Sequence, residues 1–389
     1  MSKKPVVLYG ASGYTGRLVA EYLREYNIPF IAAGRNAKSI KEVMDGVPGI
    51  ATASVEVVEV EHTVEALTKL FSGAKVVCNM VGPFIKYGGE VVQASLAAGC
   101  HYIDTTGEQD WMRLVDEEFG ERFAAKGLLV SPAIAQMYTT SDVAVNLCLE
   151  TPGVDTLDTL TLWGGMPTYA SMQSVFTILM ADHFYLEQNE YVQWPAASVF
   201  NVTVPGQHQV AMAMPWGGTP HPVWHKRNPR VANVKSLGGV FNQMVMKGVE
   251  QIAKMVEEKI KPLPPAEQRK ALSEQAAALQ SGMPPRENHR VNRTLDSVWA
   301  TGPNRSVHCV IHGARNYHQT GYLQAFAAHN LIRGRARQAG FASACQAFGH
   351  REILAGLQTY GFVGDPIISG HVPSVGVPVF PNTQGRIGV

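Results

Sequence analysis

Three glycines at spacings of three residues stand directly after the first apolar run of the chain. Val6–Tyr9 favours a β-strand, Gly10, Gly13 and Gly16 follow, and an apolar pattern of helical period begins at once. Glycine permits a positive φ and carries no Cβ that would hold a pyrophosphate away from helix amides. The stretch therefore predicts a strand, a tight turn and a helix that bind a dinucleotide. The predicted cofactor-binding residues of this turn are Gly10, Ser12, Gly13, Tyr14, Thr15 and Gly16.

The second predicted strand ends in residues that select between dinucleotides. Pro29–Ala33 favours a strand, and Arg35 and Asn36 follow shortly after it. In a dinucleotide fold an acidic side chain at this point binds the ribose hydroxyls, whereas a positive one accommodates the 2′-phosphate. Arg35 and Asn36 are therefore predicted cofactor contacts that favour NADP(H) over NAD(H), although an arginine can also stack on adenine. Lys38 by itself is typical of a solvated helix face.

The loop after the fourth predicted strand is the expected neighbour of the nicotinamide. An almost continuous apolar run at 74–80 is typical of a parallel strand buried on both faces. Val81, Gly82 and Pro83 follow it. In a doubly wound sheet this loop lies over the nicotinamide half of the cofactor, so these three residues are predicted to contact it.

Candidate catalytic residues follow strand ends on the same side of the predicted sheet. Tyr87 and Tyr138 are candidate proton donors, with ordinary packing as the alternative. Asp104 ends a predicted strand on the ligand edge and is a third candidate, although capping of the following helix is the favoured role for it, as for Glu108 and Asp110. The tyrosine–lysine dyad of short-chain dehydrogenases is missing from the corresponding region.

Charge and cysteine usage disfavour several classes of function. The 33 lysines and arginines and 32 aspartates and glutamates leave a formal charge of +1, so nothing in the balance argues for nucleic acid or an anionic membrane. The five cysteines are scattered and never form Cys-x-x-Cys, which fits a reducing cytoplasm. No apolar run has membrane-spanning length, and no signal peptide is evident. We expect a cytoplasmic protein that binds a small apolar molecule, with a homodimer left open.

Two histidine pairs have the i, i+4 spacing of helical metal ligands. His221 and His225 stand beside two prolines that argue against a helix, and His308 and His312 fall in a predicted strand. No third ligand is evident in either case. We therefore expect no metal site.

The element pattern predicts an α/β chain with two domains. Alternating strands and helices over 1–135 predict a Rossmann domain, a doubly wound parallel sheet. Residues 136–315 predict an α+β substrate and dimerisation domain on a mixed or antiparallel sheet. Residues 316–363 predict C-terminal helices that pack back on the first domain, and 364–389 a Pro/Gly-rich extended tail.

The middle segment also carries individual predictions. Its strands are predicted at 155–163, 199–204, 209–214, 293–301 and 306–312, and its helices at 169–181, 240–260 and 265–280. Methionine and tryptophan are frequent here, and the set comprises Met166, Met172, Met180, Met212, Met214, Met244, Met246, Trp163, Trp194, Trp216 and Trp224. Such side chains could line a pocket for a bulky apolar substrate or could form ordinary core.

Four short motifs resemble those of a known family. They are Gly-Ala-Ser-Gly-Tyr-Thr-Gly at 10–16, Ala-Gly-Arg at 33–35, Val-Gly-Pro-Phe at 81–84 and His-Tyr-Ile-Asp-Thr-Thr-Gly-Glu at 101–108. Together they resemble the saccharopine dehydrogenase-like oxidoreductases, most closely the branch of the trans-acting enoyl reductases. The resemblance implies a Rossmann domain that binds NADP(H). Residues 155–315 depart from the family pattern, so the family's substrate does not carry over.

The sequence leaves three hypotheses for function. The first is an NADP(H)-dependent reductase that transfers hydride to an activated C=C, of enone or enoyl type, in a bulky apolar molecule. The second is saccharopine-reductase-like reduction of C=N or C=O. The third, from another class, is a non-catalytic protein that senses NADP(H) or acts as a scaffold.

Overall fold

The computed structural model describes residues 4–215, 219–278 and 284–371. In the first part of the chain, six strands alternate with five helices. The strands are β1 (Val6–Tyr9), β2 (Phe30–Gly34), β3 (Val55–Glu59), β4 (Val76–Asn79), β5 (His101–Asp104) and β6 (Leu129–Ser131). The helices are α1 (Tyr14–Glu25), α2 (Ala37–Asp45), α3 (Val64–Phe71), α4 (Phe84–Ala98) and α5 (Gln109–Ala124). Since a helix separates each strand from the next, neighbouring strands can run parallel.

The middle of the chain is longer and more mixed in structure. Its strands are β7 (Thr156–Trp163), β8 (Phe184–Glu187), β9 (Glu190–Gln193), β10 (Phe200–Thr203), β11 (Val210–Ala213), β12 (Asn233–Val240), β13 (Arg293–Thr301) and β14 (Ser306–Ala314). Its helices are α6 (Gln136–Leu149), α7 (Tyr169–Met180), α8 (Pro220–His225), α9 (Gln243–Met255), which continues into a π-helical turn at Val256–Ile260, and α10 (Pro265–Ala278). The last elements are α11 (Asn316–Ile332), β15 (Gly340–Phe341), α12 (Ala344–Phe348), α13 (His350–Thr359) and β16 (Ile367–His371).

Two seven-stranded sheets organise these elements. The first has the order β15-β6-β5-β4-β1-β2-β3 and is parallel throughout. The second has the order β16-β14-β13-β7-β12-β8-β9, in which only β7 and β12 are parallel neighbours. The predicted fold class, a Rossmann sheet beside an α+β domain on a mixed sheet, is confirmed.

The parallel sheet is buried on both faces, as its continuous apolar strands require. Along β1, Val7 and Tyr9 belong to a core that includes Val91 of α4 and Trp111 of α5. The alternate residues of β1 point to the opposite face, where the core includes side chains of α1, α6 and α11 and extends to β13 and β14 of the second sheet. The two sheets therefore share one continuous core through α6 and α11.

Helix α11 packs unusually close to α1. A Cβ placed on Gly321 would lie 2.8 Å from the Cβ of Leu18 and 2.9 Å from its carbonyl carbon, distances that real Cβ atoms do not reach. Glycine at this position allows the two helix backbones to touch. The contact holds the C-terminal part of the chain against the dinucleotide-binding turn.

Two predicted segments of the second domain differ from the structure. The helix expected over 240–260 begins only at Gln243, after the Asn242 side chain has capped its first turn, because the preceding residues form strand β12. Gly238 and Gly239 within β12 weaken its strand signal in the sequence. The hairpin of β8 and β9 also went unpredicted.

The segment predicted as an extended tail contains a strand. Residues 367–371 form β16, which pairs antiparallel with β14 at the edge of the second sheet. The remainder of that tail, 372–389, lies outside the described residues.

The described residues also bear on the cysteines and on membrane spans. The five cysteines are buried free thiols. Within the described ranges, no helix is long and apolar enough to cross a bilayer.

Gly321→Ala tests the contact between α1 and α11. The added methyl group would clash with the Leu18 backbone, so we expect a loss of about 1–3 kcal/mol in the free energy of unfolding. The matched control is Gly248→Ala in α9, where no atom lies within 4 Å of the added Cβ. This control should gain about 0.5–1 kcal/mol from helix propensity. Equal effects of the two substitutions in denaturant unfolding would contradict the close approach.

Candidate functional site

Two positions of the glycine turn, 10 and 16, can be occupied only by glycine. Gly10 has a φ of +86°, and a Cβ on it would lie 2.8 Å from Cγ2 of Val81. A Cβ on Gly16 would lie 2.5 Å from the carbonyl oxygen of Gly10. The first glycine therefore lets the loops after β1 and β4 approach each other, and the third lets α1 begin directly against the turn.

The N-terminus of α1 is open to an anion. Its N-cap residue is the exposed Gly13, no side chain caps the first turn, and no acidic residue lies in that turn. By contrast, Asn36 caps α2 and Thr63 caps α3. Helix amides without a side-chain acceptor are the groups that bind a pyrophosphate in dinucleotide folds. The turn and helix thus fit the phosphates of a dinucleotide.

Tyr14 and Thr15, both predicted cofactor contacts, face different surroundings. The Tyr14 hydroxyl donates to the carbonyl oxygen of Pro285 at 2.9 Å, and its ring packs edge-on against Tyr317 with 5.2 Å between centroids. Thr15 instead lines the large cleft described below. Tyr14 therefore attaches the second domain to the turn, while Thr15 joins the turn to the cleft.

Of the two residues that follow β2, Asn36 caps α2 and Arg35 is an exposed cation. The Asn36 side-chain oxygen accepts from the Ser39 amide at 2.8 Å, and Glu59 accepts from the Ala37 amide at 2.9 Å. Arg35 is exposed and forms no ion pair within the described part of the chain. Its guanidinium lies close enough to Tyr9 to oppose the rise that burial causes in the pKa of that hydroxyl.

Two buried polar side chains hold the loop after β4 in place. Asn79 accepts from the amide of Val81 at 3.0 Å. The Glu108 carboxylate accepts from the amides of Phe84 and Ile85, each at 2.8 Å, and so caps α4. Burial raises the pKa of Glu108 to about 7. The loop of Val81, Gly82 and Pro83, whose Gly82-Pro83 bond is cis, is therefore fixed at both ends.

Each carboxylate oxygen of Asp104 accepts two hydrogen bonds from the protein. It is fully buried, and its carboxylate accepts from the amides of Thr106 and Ala133, the Tyr102 hydroxyl and the Trp111 indole, at 2.8 to 3.0 Å. Burial nevertheless raises its pKa. Four protein donors occupy its carboxylate, which ties together the loops after β5 and β6 and so favours the structural alternative, while a part in the chemistry stays a prediction.

Tyr87 lies in an aromatic cluster away from the cleft. Its ring packs edge-on against His62 with 5.7 Å between centroids, and Lys86 lies over its face. His62 in turn stacks on Tyr9 and shares a 2.8 Å hydrogen bond with the Tyr9 hydroxyl. Tyr87 is therefore separated from Tyr138, the other predicted proton donor.

A cleft of about 1170 Å³, including its open mouth, joins the ligand edge of the parallel sheet to the second domain. From the first domain it is lined by Thr15, Met80, Gly82, Phe84, Thr105 and Gly107. From the second it is lined by α6, α7 and α9, by the ends of β7 and β12, and by the start of α11. The loop after β4 lies under α7, since a Cβ on Gly82 would come 3.6 Å from the Ser174 hydroxyl.

The roof helix α7 gives the cleft two ends of different polarity. Ser171, Ser174, Val175 and Ile178 follow the helical spacing that places them on one face, and all four line the cleft. At the hydroxyl end Ser171 contacts Thr168 and Tyr317, and at the apolar end Val175 and Ile178 share a core with the α9 residues Val245, Met246 and Val249. A ligand that fills the cleft therefore needs one polar part and one apolar part.

No lining residue in the described ranges carries a formal charge. Tyr138 and Tyr317 are the titratable side chains among them. Burial raises the pKa of both hydroxyls, so both are protonated at neutral pH. The two tyrosines differ in their contacts: Tyr317 accepts from the Thr168 amide at 3.0 Å and pairs with the Ser171 hydroxyl at 2.9 Å, whereas Tyr138 lies against Gly107.

Three buried polar atoms of cleft-lining residues have no hydrogen-bond partner within the described chain. They are Oε1 of Gln136, Nε1 of Trp163 and Oδ1 of Asn316. A buried polar atom without a partner costs free energy, and a ligand can supply the missing partner. The first and third are acceptors, and the indole Nε1 is a donor.

Of the methionines and tryptophans singled out in the sequence, few face the cleft. Trp163, Met172 and Met246 line it. Met214 and Trp194 belong instead to cores of the second domain, and Met244 is exposed. Trp163 and Met246 also share a core with Met214, so lining the cleft and forming core are not exclusive roles here. Trp216 lies outside the described residues.

The histidine pair at 221 and 225 lies on a helix after all. Pro220 occupies the first turn of α8, where its missing N–H leaves no hydrogen bond unmade, so proline does not prevent a helix there. His221 pairs with Ser141 at 2.9 Å, and His225 lies 3.5 Å from Asp142 in a fully buried cluster. Across the described ranges, no group of three or more His, Cys, Asp or Glu side chains is placed to hold a metal ion.

Two sequence models of known families match the chain. One, described as a family of unknown function (DUF5938), matches residues 139–372. The other, described as the saccharopine dehydrogenase NADP binding domain, matches residues 6–129. The second match confirms the resemblance that the motifs indicated over the first domain, and the first covers the segment that departed from that pattern.

Individual relatives match over about a third of the chain. A lipid droplet localized protein of Caenorhabditis elegans is 32% identical over 154 residues, which are 38% of this chain and 36% of that protein. A saccharopine dehydrogenase-like oxidoreductase of Mus musculus is 29% identical, over 32% of each chain. A trans-acting enoyl reductase of Mycobacterium ulcerans is 30% identical, over 36% of this chain and 34% of that protein. The chain thus spans about a third of the length of these curated relatives.

Glu108→Ala tests the anchor of the loop after β4. The substitution leaves the amides of Phe84 and Ile85 without their acceptor, so we expect a loss of about 1–3 kcal/mol in the free energy of unfolding and weaker NADPH binding. Glu118→Ala, at an exposed position of α5, should change stability by less than about 0.5 kcal/mol. Denaturant unfolding and NADPH fluorescence titration measure the two effects.

The titration of Glu108 adds a pH signature to the same test. Burial raises its pKa from 4.5 to about 7, so the folded protein holds this proton more tightly than the unfolded chain does. The free energy of unfolding should therefore fall, relative to Glu108→Gln, as the pH rises from about 4.5 through 7. Parallel pH profiles of the two proteins would rule out a buried, titrating carboxyl.

Proposed function

Because the chain belongs to the family of unknown function DUF5938 and begins with a saccharopine dehydrogenase NADP-binding domain, we propose that it is an NADP(H)-dependent reductase. Its substrate is a bulky apolar small molecule with an activated C=C of the enone or enoyl type. The observation that carries the proposal is the large uncharged cleft that opens from the dinucleotide-binding turn. The reaction belongs to the cytoplasm, where the buried free cysteines stay reduced.

The chemistry of the cleft selects an uncharged substrate. An amino-acid substrate brings carboxylates and ammonium groups, and each buried charge needs a charged or strongly hydrogen-bonding partner. The cleft offers hydroxyls, amides and an indole together with methionine and branched aliphatic side chains. Its interior therefore suits a molecule with one polar functional group and an extensive apolar body, and it disfavours saccharopine-like reduction of a charged imine.

Bound NADPH would supply hydride from its nicotinamide ring. On the protein side, the amides at the start of α1 and the glycine turn would hold the phosphates, and the loop of Val81, Gly82 and Pro83 would contact the nicotinamide half of the cofactor. The Trp163 indole N–H, which lacks a protein partner, supplies a donor for a substrate carbonyl. Such a hydrogen bond draws electrons from a conjugated C=C and makes its far carbon a better hydride acceptor.

Tyr138 is the proposed proton donor. Its hydroxyl lines the cleft beside Gly107, and its raised pKa keeps it protonated at neutral pH. After one carbon of the C=C has received hydride, the Tyr138 hydroxyl would give its proton to the other carbon, and solvent would return a proton to the phenolate. Tyr317 is less suited because its hydroxyl already bonds Thr168 and Ser171 at the start of the roof helix.

NADP(H) is preferred to NAD(H) through Arg35. Its exposed guanidinium at the end of β2 has no protein anion to neutralise it among the described residues, so it is available to a 2′-phosphate. Asn36 contributes by capping α2 and so fixing the loop that carries Arg35.

Tyr138→Phe should lower kcat by about 10²–10⁴-fold with little change in NADPH affinity, because only the transferable proton is removed. The assay follows the reduced-cofactor absorbance with a panel of apolar enones, enoyl thioesters, imines and ketones. Tyr317→Phe is the matched control and should affect stability more than kcat. A protein that binds NADPH yet reduces none of these compounds would refute the enzyme assignment and favour a cofactor-sensing role.

Arg35→Asp should reverse the cofactor preference. Losing a charge-assisted contact to the 2′-phosphate weakens NADPH binding by roughly tenfold or more, whereas NADH binding should hold or improve. The ratio of the two dissociation constants, measured by fluorescence titration, reports the effect. Lys41→Ala on α2, which removes only an ion pair with Asp45, is the control. An unchanged ratio in Arg35→Asp would show that Arg35 does not meet the 2′-phosphate.

A further inference from the structure

The three cleft-lining residues whose buried polar atoms have no partner in the described part of the chain come from three different elements. Gln136 begins α6, Asn316 begins α11 and Trp163 ends β7. Gln136 is fully buried, and Asn316 and Trp163 are each 5% exposed. Their free atoms are two acceptors, Oε1 of Gln136 and Oδ1 of Asn316, and one donor, Nε1 of Trp163. We refer to these three residues as the polar triplet.

Direct contacts hold the polar triplet together in one region of the cleft. The backbone amide of Gln136 donates to the Thr320 hydroxyl at 3.0 Å, and this hydroxyl donates to the carbonyl oxygen of Asn316 at 2.8 Å. The first turns of α6 and α11 are therefore fixed against each other. The Trp163 ring packs edge-on against Tyr317, the neighbour of Asn316, with 6.4 Å between ring centroids. The three free atoms thus belong to the surroundings of one part of a bound molecule.

The side chain of Gln136 is held by a buried carboxyl group. Its Nε2 donates to Oδ2 of Asp296 at 3.2 Å, and the Thr161 hydroxyl donates to Oδ1 of the same group at 3.0 Å. Asp296 is fully buried and does not itself line the cleft. One end of the Gln136 amide is therefore bonded to the protein, whereas its carbonyl end has no partner. A fixed, buried acceptor beside a cleft costs free energy until a ligand donates to it.

We propose that Gln136 and Asn316 bind hydrogen-bond donors of the substrate, namely hydroxyl or amide N–H groups beside the conjugated carbonyl that Trp163 binds. The inference rests on the proposed function, because it takes the cleft ligand to be an unsaturated carbonyl compound. A carbonyl oxygen accepts from the single free donor, and the two free acceptors need O–H or N–H groups on the same part of the molecule. An unsaturated amide or a hydroxylated enone meets both needs, whereas a plain enone meets only the first.

The two acceptors make the cleft selective for a functional group. A substrate with a donor satisfies Gln136 and Asn316 in the complex, while an analogue with a methyl group at the same place leaves them unsatisfied. A site built to hydrogen-bond an O–H or N–H group rejects such an analogue more strongly than an apolar pocket rejects an extra methylene. The apolar lining therefore governs the size of the substrate, and the polar triplet governs its chemistry.

Ligand binding to protein saturated with NADP+ tests the proposal without turnover, because the oxidised cofactor has no hydride to give. The probes are trans-cinnamamide and benzylideneacetone, the ketone in which a methyl group replaces the amide NH2. Isothermal titration calorimetry should show that the wild type binds the amide about tenfold or more tightly than the ketone. Gln136→Met and Asn316→Leu, which remove one acceptor each at similar side-chain size, should each lower this ratio by roughly fivefold to tenfold.

The matched control is Thr161→Val. It removes the other hydrogen bond to Asp296, but Thr161 does not line the cleft, so the ratio of the two dissociation constants should equal that of the wild type. The thermal unfolding temperature shows whether each variant is folded.

Equal affinity of the wild type for the two probes, or binding of neither, overturns the proposal, as does an equal fall of the ratio in Thr161→Val. Weaker NADPH binding by Gln136→Met with an unchanged probe ratio also overturns it and assigns the acceptors to the carboxamide of the nicotinamide. A protein that distinguishes the probes as expected but reduces no compound of the enone panel would refute the reductase assignment and leave the selection for donors intact.

Discussion

The close backbone contact of α1 with its neighbours on two sides is the constraint on which the rest of the structure depends. On one side, Gly16 brings the helix start against the carbonyl oxygen of Gly10. On the other, Gly321 lets α11 touch the backbone at Leu18. Because α11 begins with Asn316 at the cleft, this contact places the first residues of α11 beside the first turn of α1. These glycines therefore position α11 at the cleft, in addition to leaving room for phosphates at the start of α1.

Buried carboxylates near the cleft accept hydrogen bonds from backbone amides and so hold its loops in place. The cleft can therefore have a fixed shape although its lining carries no charge. Glu108 caps α4, and Asp104 joins two loops. Glu287 accepts hydrogen bonds from the amides of Tyr317 and His318 at the start of α11. Each carboxylate is satisfied by donors from its own surroundings, which offsets the cost of burial. None of the three projects a charge into the space that a substrate would occupy, so positioning is separated from substrate contact.

The first domain could be predicted in detail because its signals are local: apolar strands, a glycine turn and helix periodicity within one short stretch. The second domain could be predicted only in class. Its inner strand β12 contains Gly238 and Gly239, which interrupt the strand pattern of the sequence, and the partner strands β7 and β8 lie far away in the chain. Among the site residues, Tyr138 and Tyr87 have similar sequence contexts, yet only Tyr138 reaches the cleft. Tyr317 carried no signal at all, because its position follows from the packing of α11.

The parallel pair β7 and β12 has a consequence for how such proteins can diverge. Both strands end at the cleft, with Trp163 and Val240 as their last residues, and they face the carboxyl ends of the Rossmann strands across it. The chamber is thus bounded by two opposed strand edges. Side-chain volume at two strand-terminal positions can change without disturbing a ladder hydrogen bond or the glycine turn. Related proteins with this architecture can accept substrates of different size by changing residues of the second domain alone, while the dinucleotide-binding domain stays unchanged.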